Sequence, residues 1–235
     1  MYLSAIVIEK LYGFYPVVAE QLFRREHAQH VTSSKLRSRL EIYPIVKRAI
    51  DTSGAAILGT LLAPALAGIA LAVKLGSPGP IIYRQQRLTT GGRVFTMYKF
   101  RTMYHDAEEV SGAVWAASAD SRTTPVGRFL RRTHLDELPQ LINILRGEMS
   151  FIGPRPERPE LSESLSRTIP SFHRRLQTLP GLSGLAQVKV GYARTLETYR
   201  RKVACDRLYI KRKSFALDLY IAALTIFYLI IGERV

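Results

Sequence analysis

The hydrophobic pattern is dominated by one apolar run over residues 55–73, in which Thr60 is the polar exception. As a straight α-helix, this run would extend about 28 Å, which is close to the hydrocarbon thickness of a bilayer. Pro64 lies near its middle, where proline removes a backbone hydrogen bond and bends a helix. The pattern therefore predicts a membrane-associated helix that is broken at Pro64.

Basic residues flank this run on both sides. Lys47 and Arg48 precede it, and Lys74 follows it. Cationic flanks prefer the cytoplasmic side of a membrane, and a helix that bends back places both flanks there. We predict a re-entrant helix over residues 44–76, with a straight membrane span as the alternative.

The two ends of the chain have shorter apolar segments. The last apolar run contains Asp218, and its uninterrupted part over residues 219–231 would rise only about 20 Å, too short to span comfortably. We predict an interfacial helix over residues 214–235, behind a basic cluster that suits anionic headgroups. Residues 1–43 form an N-terminal extension with a basic stretch over 24–39. We interpret the extension as a peripheral amphipathic segment, with a disordered tail as the alternative.

We predict that the intervening residues 77–213 form a cytoplasmic domain. Apolar and polar residues over 81–86 and 94–98 flank Gly91-Gly92, a pair that suits a hairpin turn. The other predicted elements are an acidic helix and loop within 104–122, helices over 160–167 and 195–209, and a tight turn over 180–184. We therefore expect a fold that is mainly α with a small β-hairpin.

The charge of the chain narrows the choice of partners. It has 235 residues, a formal net charge of +15 and a sequence pI near 10.2, which indicate nucleic acid, anionic lipid or a phosphorylated substrate. An apolar content of 47% argues against a disordered basic tail protein. The single cysteine, Cys205, excludes an internal disulfide and fits a reducing compartment.

Two adjacent carboxylates, Asp136 and Glu137, are flanked in sequence by arginines. Pro139 follows them and is tolerated in a first helical turn, so we predict a helix that starts at or just before Asp136 and stops at Gly147. Acidic residues are also common in first turns without any chemistry, because they interact favourably with the helix dipole. Carboxylates among arginines, however, are the groups from which phosphate-handling sites are built.

Three further basic residues are candidates for phosphate contacts. Arg155 stands between Pro154 and Pro156, which hold its segment stiff and non-helical. A guanidinium on such a segment suits bidentate phosphate recognition, and an ordinary turn is the alternative. Lys99 and Arg101 lie two residues apart at the exit of the hairpin, so their side chains are expected on the same side of the strand, where both could contact phosphate. The alternative is that both are solvated surface charges.

Six blocks of sequence add to this picture. In chain order they are Tyr98-Lys-Phe-Arg-Thr-Met103, Leu135-Asp-Glu-Leu-Pro-Gln-Leu141, Gly147-Glu-Met-Ser150, Gly153-Pro-Arg-Pro156, Pro180-Gly-Leu-Ser-Gly-Leu-Ala-Gln187 and Asp206 through Ile210. Together they resemble the bacterial sugar transferase family, the monotopic polyprenyl-phosphate hexose-1-phosphate transferases, over about residues 44–232. The resemblance implies the same re-entrant helix broken at a proline. Many members carry serine before that proline, where this chain has Ala63, and usually threonine at the position of Ser183.

The resemblance implies transfer of a sugar-1-phosphate from a UDP-sugar to a polyprenyl phosphate, usually undecaprenyl phosphate, with release of UMP. This reaction would initiate the synthesis of a bacterial glycan, such as an exopolysaccharide, an O-antigen or a glycoprotein glycan. It would occur at the cytoplasmic face of the inner membrane, with anionic phospholipid and a second copy of the chain as further candidate partners. Donor and acceptor are both anionic, so we expect arginines and a hard divalent cation, Mg²⁺, to neutralise charge.

Each candidate residue receives a role. We predict that Asp136 is the nucleophile and forms an acyl phosphate, that neighbouring arginines keep it ionised, and that Glu137 binds Mg²⁺. The candidates for binding substrate phosphates are Lys99, Arg101, Arg131, Arg155, Arg175 and Asp206.

Two other functions compete with this interpretation. A basic peripheral nucleic-acid-binding protein would fit the net charge, but two lipid-compatible segments and the lack of interleaved exposed aromatic residues argue against it. A non-catalytic membrane scaffold would leave residues 135–156 unexplained. No residue near the motif distinguishes glucose, galactose and N-acetylated sugars, so the sequence predicts a transferase without identifying its sugar.

Overall fold

The computed structural model describes residues 33–104, 121–169, 171–191 and 195–231, with the backbone alone for residues 33–41. Most of the predicted N-terminal extension lies outside these residues, as does nearly all of the acidic helix expected within 104–122. The described chain consists mainly of helices, with two two-stranded sheets. This confirms the predicted mainly α fold with a β-hairpin.

The long apolar helix is broken, as predicted. Helix α1 (Ser33–Leu61) and helix α2 (Ala63–Gly76) meet at Leu62 with a bend of 65°. The break precedes Pro64 because proline fits the first turn of the helix that follows, where its missing N–H has no helical acceptor. None of the described helices is by itself long and apolar enough to cross a membrane. The bent pair together has the length and composition of a broken span or of a re-entrant loop.

The predicted hairpin is present. Strands β1 (Ile82–Leu88) and β2 (Val94–Phe100) pair in antiparallel orientation along their full length. Gly91 and Gly92 form the turn with φ of 72° and 78°, a region in which glycine meets no steric penalty. The inner face of β2 shares a core cluster with α1 and with helix α4 (Leu141–Leu145), and this packing fixes where the hairpin ends.

The acidic pair lies in a short segment between two helices. Helix α3 (Pro125–Thr133) ends at His134, a non-glycine residue with a left-handed backbone at φ 56°. A 3-10 helix (Leu135–Gln140) follows and continues into α4. The helix predicted to start at or just before Asp136 is therefore present, but its first part is a 3-10 helix, which accommodates Pro139 without the backbone donor that an α-helix would need after its first turn. Gly147, at φ 76°, follows the end of α4 as expected.

Strand β3 (Ser150–Ile152) pairs in parallel with strand β4 (Gly181–Ser183). The tight turn predicted over residues 180–184 is therefore wrong. The glycines that suggested a turn instead allow two backbones to approach closely. A Cβ atom on Gly181 would lie 2.1 Å from the backbone nitrogen of Gly153, so a larger residue does not fit.

Helices make up most of the C-terminal half, as predicted. They are α5 (Pro159–Thr168), a 3-10 helix (Phe172–Gln177), α6 (Leu185–Val190), α7 (Leu196–Arg212) and α8 (Phe215–Ile231). One core cluster joins α5, the 3-10 helix and α7 around Phe172. Another joins α6, α7 and α8 around Tyr209 and Ile221, and it attaches the C-terminal helix to the domain with the acidic pair.

The carboxylate of Asp218 on helix α8 faces helices α1 and α7. Asp218 accepts hydrogen bonds from Tyr43 at 2.8 Å, from Lys47 at 2.7 Å and from Tyr209 at 2.9 Å. These donors lie on α1 and α7. Exposed large apolar residues of α8 include Leu219, Ile226 and Ile230. This arrangement is the reverse of that in a helix that faces water.

Candidate active site

The carboxylate of Glu137 brings together two of the predicted phosphate-binding cations. Its Oε1 atom accepts hydrogen bonds from Lys99 Nζ at 2.6 Å and from Arg155 Nη2 at 2.7 Å. Lys99 comes from β2, and Arg155 comes from the loop after β3. Burial alone would raise the pKa of Glu137, but the charges and hydrogen bonds of Arg155 and Lys99 outweigh burial and hold the pKa well below its ordinary range. Glu137 is therefore a fixed negative charge.

Asp136 has a different environment from its neighbour. The residue is only 9% exposed, and its carboxylate forms no hydrogen bond or ion pair with any residue that the structure describes. Burial raises the pKa of Asp136; Lys99 opposes this shift and the charge of Glu137 adds to it. The shift is opposite to the one that the neighbouring arginines alone would cause. The site therefore combines a neutralised carboxylate with an unpaired one.

Arg131 is positioned by two buried threonines. Its Nε atom donates to Thr102 Oγ1 at 2.8 Å, and its Nη1 atom donates to Thr123 Oγ1 at 3.4 Å. The charge of Arg131 is one of those that lower the pKa of Asp136. Neither threonine was assigned a role from the sequence, although Thr102 lies within the block Tyr98-Lys-Phe-Arg-Thr-Met103.

Arg101 is not brought to the acidic pair. Its buried guanidinium donates to the carbonyl oxygens of Ser77 at 2.7 Å and Val73 at 3.3 Å, and to that of Pro78. These carbonyls lie at or just after the end of α2, where helical carbonyls lack backbone partners. The same-side spacing with Lys99 does not extend to Arg101, because β2 ends one residue earlier.

Arg175 and Asp206 form a buried ion pair, with 2.6 Å between Nε and Oδ2. Arg175 also donates from Nη2 to the backbone oxygen of Arg155 at 3.0 Å and from Nη1 to Glu157 Oε1 at 3.3 Å. Burial alone would lower the pKa of Arg175, but Asp206 and Glu157 raise it. Arg175 and Asp206 therefore support the loop that carries Arg155, without contacting the acidic pair.

Asn143 is a functional support that the sequence analysis missed. It is fully buried, and its side chain donates to Thr96 O at 2.7 Å and accepts from Tyr98 N at 3.1 Å. These bonds fasten α4 to β2 next to Lys99, and so they help to set the distance between Lys99 and Glu137. The available signal was a single asparagine inside the otherwise apolar segment Leu141–Leu145.

The profile of the family described as bacterial sugar transferase matches residues 42–232, and the chain belongs to this family. UDP-N-acetylgalactosamine-undecaprenyl-phosphate N-acetylgalactosaminephosphotransferase of Aeromonas hydrophila is 40% identical over 211 residues, which are 89% of this chain and 50% of that protein. UDP-glucose:undecaprenyl-phosphate glucose-1-phosphate transferase of Caulobacter vibrioides is 45% identical over 182 residues, which are 77% of this chain and 68% of that protein. Exopolysaccharide production protein PSS of Rhizobium leguminosarum is 36% identical over 182 residues, which are 75% of this chain and 91% of that protein. The chain thus spans about half the length of the Aeromonas relative and most of the Rhizobium relative.

Proposed function

We propose that this protein transfers a sugar-1-phosphate from a UDP-sugar to undecaprenyl phosphate and releases UMP. The observation that carries the proposal is the contrast between Glu137, which is neutralised by two cations, and Asp136, which is unpaired. The names of the Aeromonas and Caulobacter relatives describe such a transfer with N-acetylgalactosamine and with glucose. Because those sugars differ, the proposal specifies the donor class and not the sugar.

Asp136 suits the role of nucleophile. A buried carboxylate without a hydrogen-bond partner is poorly stabilised, and it is therefore more reactive than the paired Glu137. An oxygen of Asp136 attacks the phosphorus that carries the sugar, the bond from that phosphorus to the bridging oxygen breaks, and UMP leaves with the electron pair. An oxygen of undecaprenyl phosphate then attacks the same phosphorus, which frees Asp136 and forms the diphosphate product. Lys99, Arg131 and Arg155 offset the repulsion between the anionic reactants.

Mg²⁺ fits the groups at the acidic pair. Among the described residues, no cluster of three or more histidine, cysteine, aspartate or glutamate side chains could hold a metal ion alone. Proteins commonly hold Mg²⁺ with one or two carboxylates, substrate phosphates and water. Glu137 Oε2 accepts no hydrogen bond from the described residues, so it is the candidate ligand, next to Asp136. When bound there, Mg²⁺ would neutralise charge on the diphosphate of the donor.

The proposed reaction takes place at the cytoplasmic face of the inner membrane, with a monotopic attachment. Three observations support this placement: the 65° bend between α1 and α2, basic flanks at both ends of the pair, and exposed apolar residues on α2 and α8. A re-entrant helix and an interfacial helix would leave the acidic pair on the side where UDP-sugars are present.

Purified protein supplied with Mg²⁺ and undecaprenyl phosphate in mixed micelles should release UMP from at least one donor in a panel of UDP-hexoses and UDP-N-acetylhexosamines. A coupled assay for UMP measures the rate. Glu197→Gln is the matched control, since it removes an exposed carboxylate that pairs only with Arg201 on the surface of α7, and it should keep full activity. Folded protein that releases no UMP with any donor of the panel would contradict the proposal.

Two single cysteines test the attachment, in a background with Cys205→Ser. We expect Pro44→Cys and Lys74→Cys, both at exposed positions, to resist a membrane-impermeant maleimide in intact spheroplasts, because both flanks lie in the cytoplasm. Both should react after permeabilisation, which is the control for accessibility. Labelling of either cysteine in intact spheroplasts would show that the bent pair crosses the membrane.

A further inference from the structure

A second group of cations adjoins the acidic pair and is connected to it through Arg155. Its members are Arg87, Arg155, Arg175 and Lys202. Arg87 and Arg175 lie against the carboxylates of Glu157 and Asp206, and Lys202 precedes Asp206 by one turn of α7. Asp206 is committed to Arg175 at 2.6 Å. Glu157 is shared between Arg175 at 3.3 Å and Arg87 at 3.9 Å. Cations therefore outnumber carboxylates in this group, and one of the cations, Arg155, also neutralises Glu137.

Lys202 is the member of this group that has no anionic partner. It lies on α7 with its ammonium group 5.9 Å from the centroid of the Tyr199 ring, and it forms no hydrogen bond or ion pair with the described residues. Burial lowers the pKa of Lys202 to about 8; Arg155 and Arg175 add to this shift, while Glu157 and Asp206 oppose it. Cations that are partly buried and close to one another are stabilised when an anion binds between them.

Arg87 experiences the same crowding of positive charge. Burial and the nearby Arg155 lower its pKa to about 10, against the opposing effect of Glu157. Its guanidinium is nevertheless occupied, because it donates to Gln85 Oε1 at 2.9 Å and to Pro156 O at 3.0 Å. Arg87 therefore adds positive charge to the group, whereas the ammonium of Lys202 has donors left for a ligand.

We infer that Lys202, with Arg155 beside it, binds a phosphate group at a second anion subsite next to the acidic pair. The inference rests on the proposed transfer reaction, in which both substrates carry phosphate. The ligand is either the phosphate of the departing nucleotide or the phosphate of the polyprenyl acceptor. Arg155 connects the two subsites, because its guanidinium contacts Glu137 while Arg175 holds its backbone oxygen at 3.0 Å.

Steady-state kinetics with each substrate varied separately test the subsite. Lys202→Met should raise the KM of one substrate by about 10- to 100-fold, the value of a hydrogen bond to a charged group, with a much smaller change in kcat. Lys202→Arg should restore most of the affinity. Arg201→Met removes the neighbouring exposed cation of α7 and should leave both KM values unchanged. A raised KM for the UDP-sugar assigns the nucleotide phosphate, and a raised KM for the polyprenyl phosphate assigns the acceptor. Unchanged KM values in Lys202→Met would overturn the subsite.

Chemical footprinting gives a readout that does not depend on turnover. At pH 8 an amine-directed acylating reagent should modify Lys202, and either UMP or undecaprenyl phosphate in micelles should slow the modification relative to Lys213, as measured by peptide mass spectrometry. Protection by neither ligand in an enzyme that turns over would reject the subsite and leave the proposed function intact. Protection by UMP in a protein that releases no UMP from any donor would support the subsite and reject the transfer reaction.

Discussion

Asp136→Asn should abolish UMP release, with a loss of about four orders of magnitude or more, as expected when a nucleophile is removed. The amide has nearly the same volume as the carboxylate, so the buried site keeps its shape. Because the replaced carboxylate is buried and unpaired, the thermal unfolding temperature should stay the same or rise. Loss of activity without loss of stability is the signature of a residue that acts in the chemistry.

The proposed covalent step can be tested directly. Wild-type enzyme incubated with its UDP-sugar and Mg²⁺, without lipid, should release up to one equivalent of UMP and gain the mass of one sugar phosphate. Asp136→Asn should show neither change. If an active, metal-loaded wild-type enzyme forms no adduct and releases no UMP until lipid is added, then the polyprenyl phosphate attacks the donor directly and Asp136 has another role.

Glu137→Gln should have a different effect, on both activity and stability. It leaves Lys99 and Arg155 without the carboxylate that pairs with them at 2.6 and 2.7 Å. Removing one partner of a fully buried ion pair destabilises a protein by roughly 3–5 kcal/mol. The Glu137 pairs are only partly buried, and the Arg155 side chain is 35% exposed, so the loss should be smaller, but thermal unfolding should still occur at a lower temperature. Turnover should fall by about 100-fold, because Lys99, Arg155 and the proposed Mg²⁺ lose the negative charge that positions them.

Titration with Mg²⁺ measures the metal contribution of Glu137. We expect the Mg²⁺ concentration for half-maximal activity to rise in Glu137→Gln by about tenfold, the range seen when the support of a metal site is lost. Glu163→Gln is the matched control, since Glu163 forms an exposed pair with Arg167 on α5 and is far less buried. Wild-type turnover of Glu137→Gln at limiting Mg²⁺ would show that the metal is held elsewhere.

Local chemistry was sufficient to predict part of this site. Glu137 and Arg155 could be selected because prolines lie close to them in the sequence, and Lys99 because it lies at the exit of the predicted hairpin; the structure brings all three together. The contacts of Arg101 could not be predicted, because the spacing along a strand says nothing about where that strand ends. Its guanidinium is used by carbonyls more than 20 residues earlier in the chain.

Features that depend on distant segments could not be predicted in the same way. The Asp136 carboxylate lacks a hydrogen-bond partner among the described residues because nearby basic side chains bind other groups in the folded structure. The parallel pairing of β3 with β4 joins Ser150 to Gly181, and the glycine that permits it looks in sequence like a turn. Proline and glycine therefore indicate where the backbone departs from regular geometry. Which other segment pairs with that backbone is decided by tertiary packing.

The three hydrogen bonds to Asp218 make the orientation of α8 independent of the apolar residues that the helix exposes. They hold the helix at one angle of rotation about its own axis, since Tyr43, Lys47 and Tyr209 approach the carboxylate from α1 and α7. They do not constrain Leu219, Ile226 and Ile230, which lie about 100° around the helix axis from Asp218. Substitutions at Leu219, Ile226 and Ile230 can therefore change the proposed interaction of α8 with lipid without turning the helix or disturbing the domain beneath it.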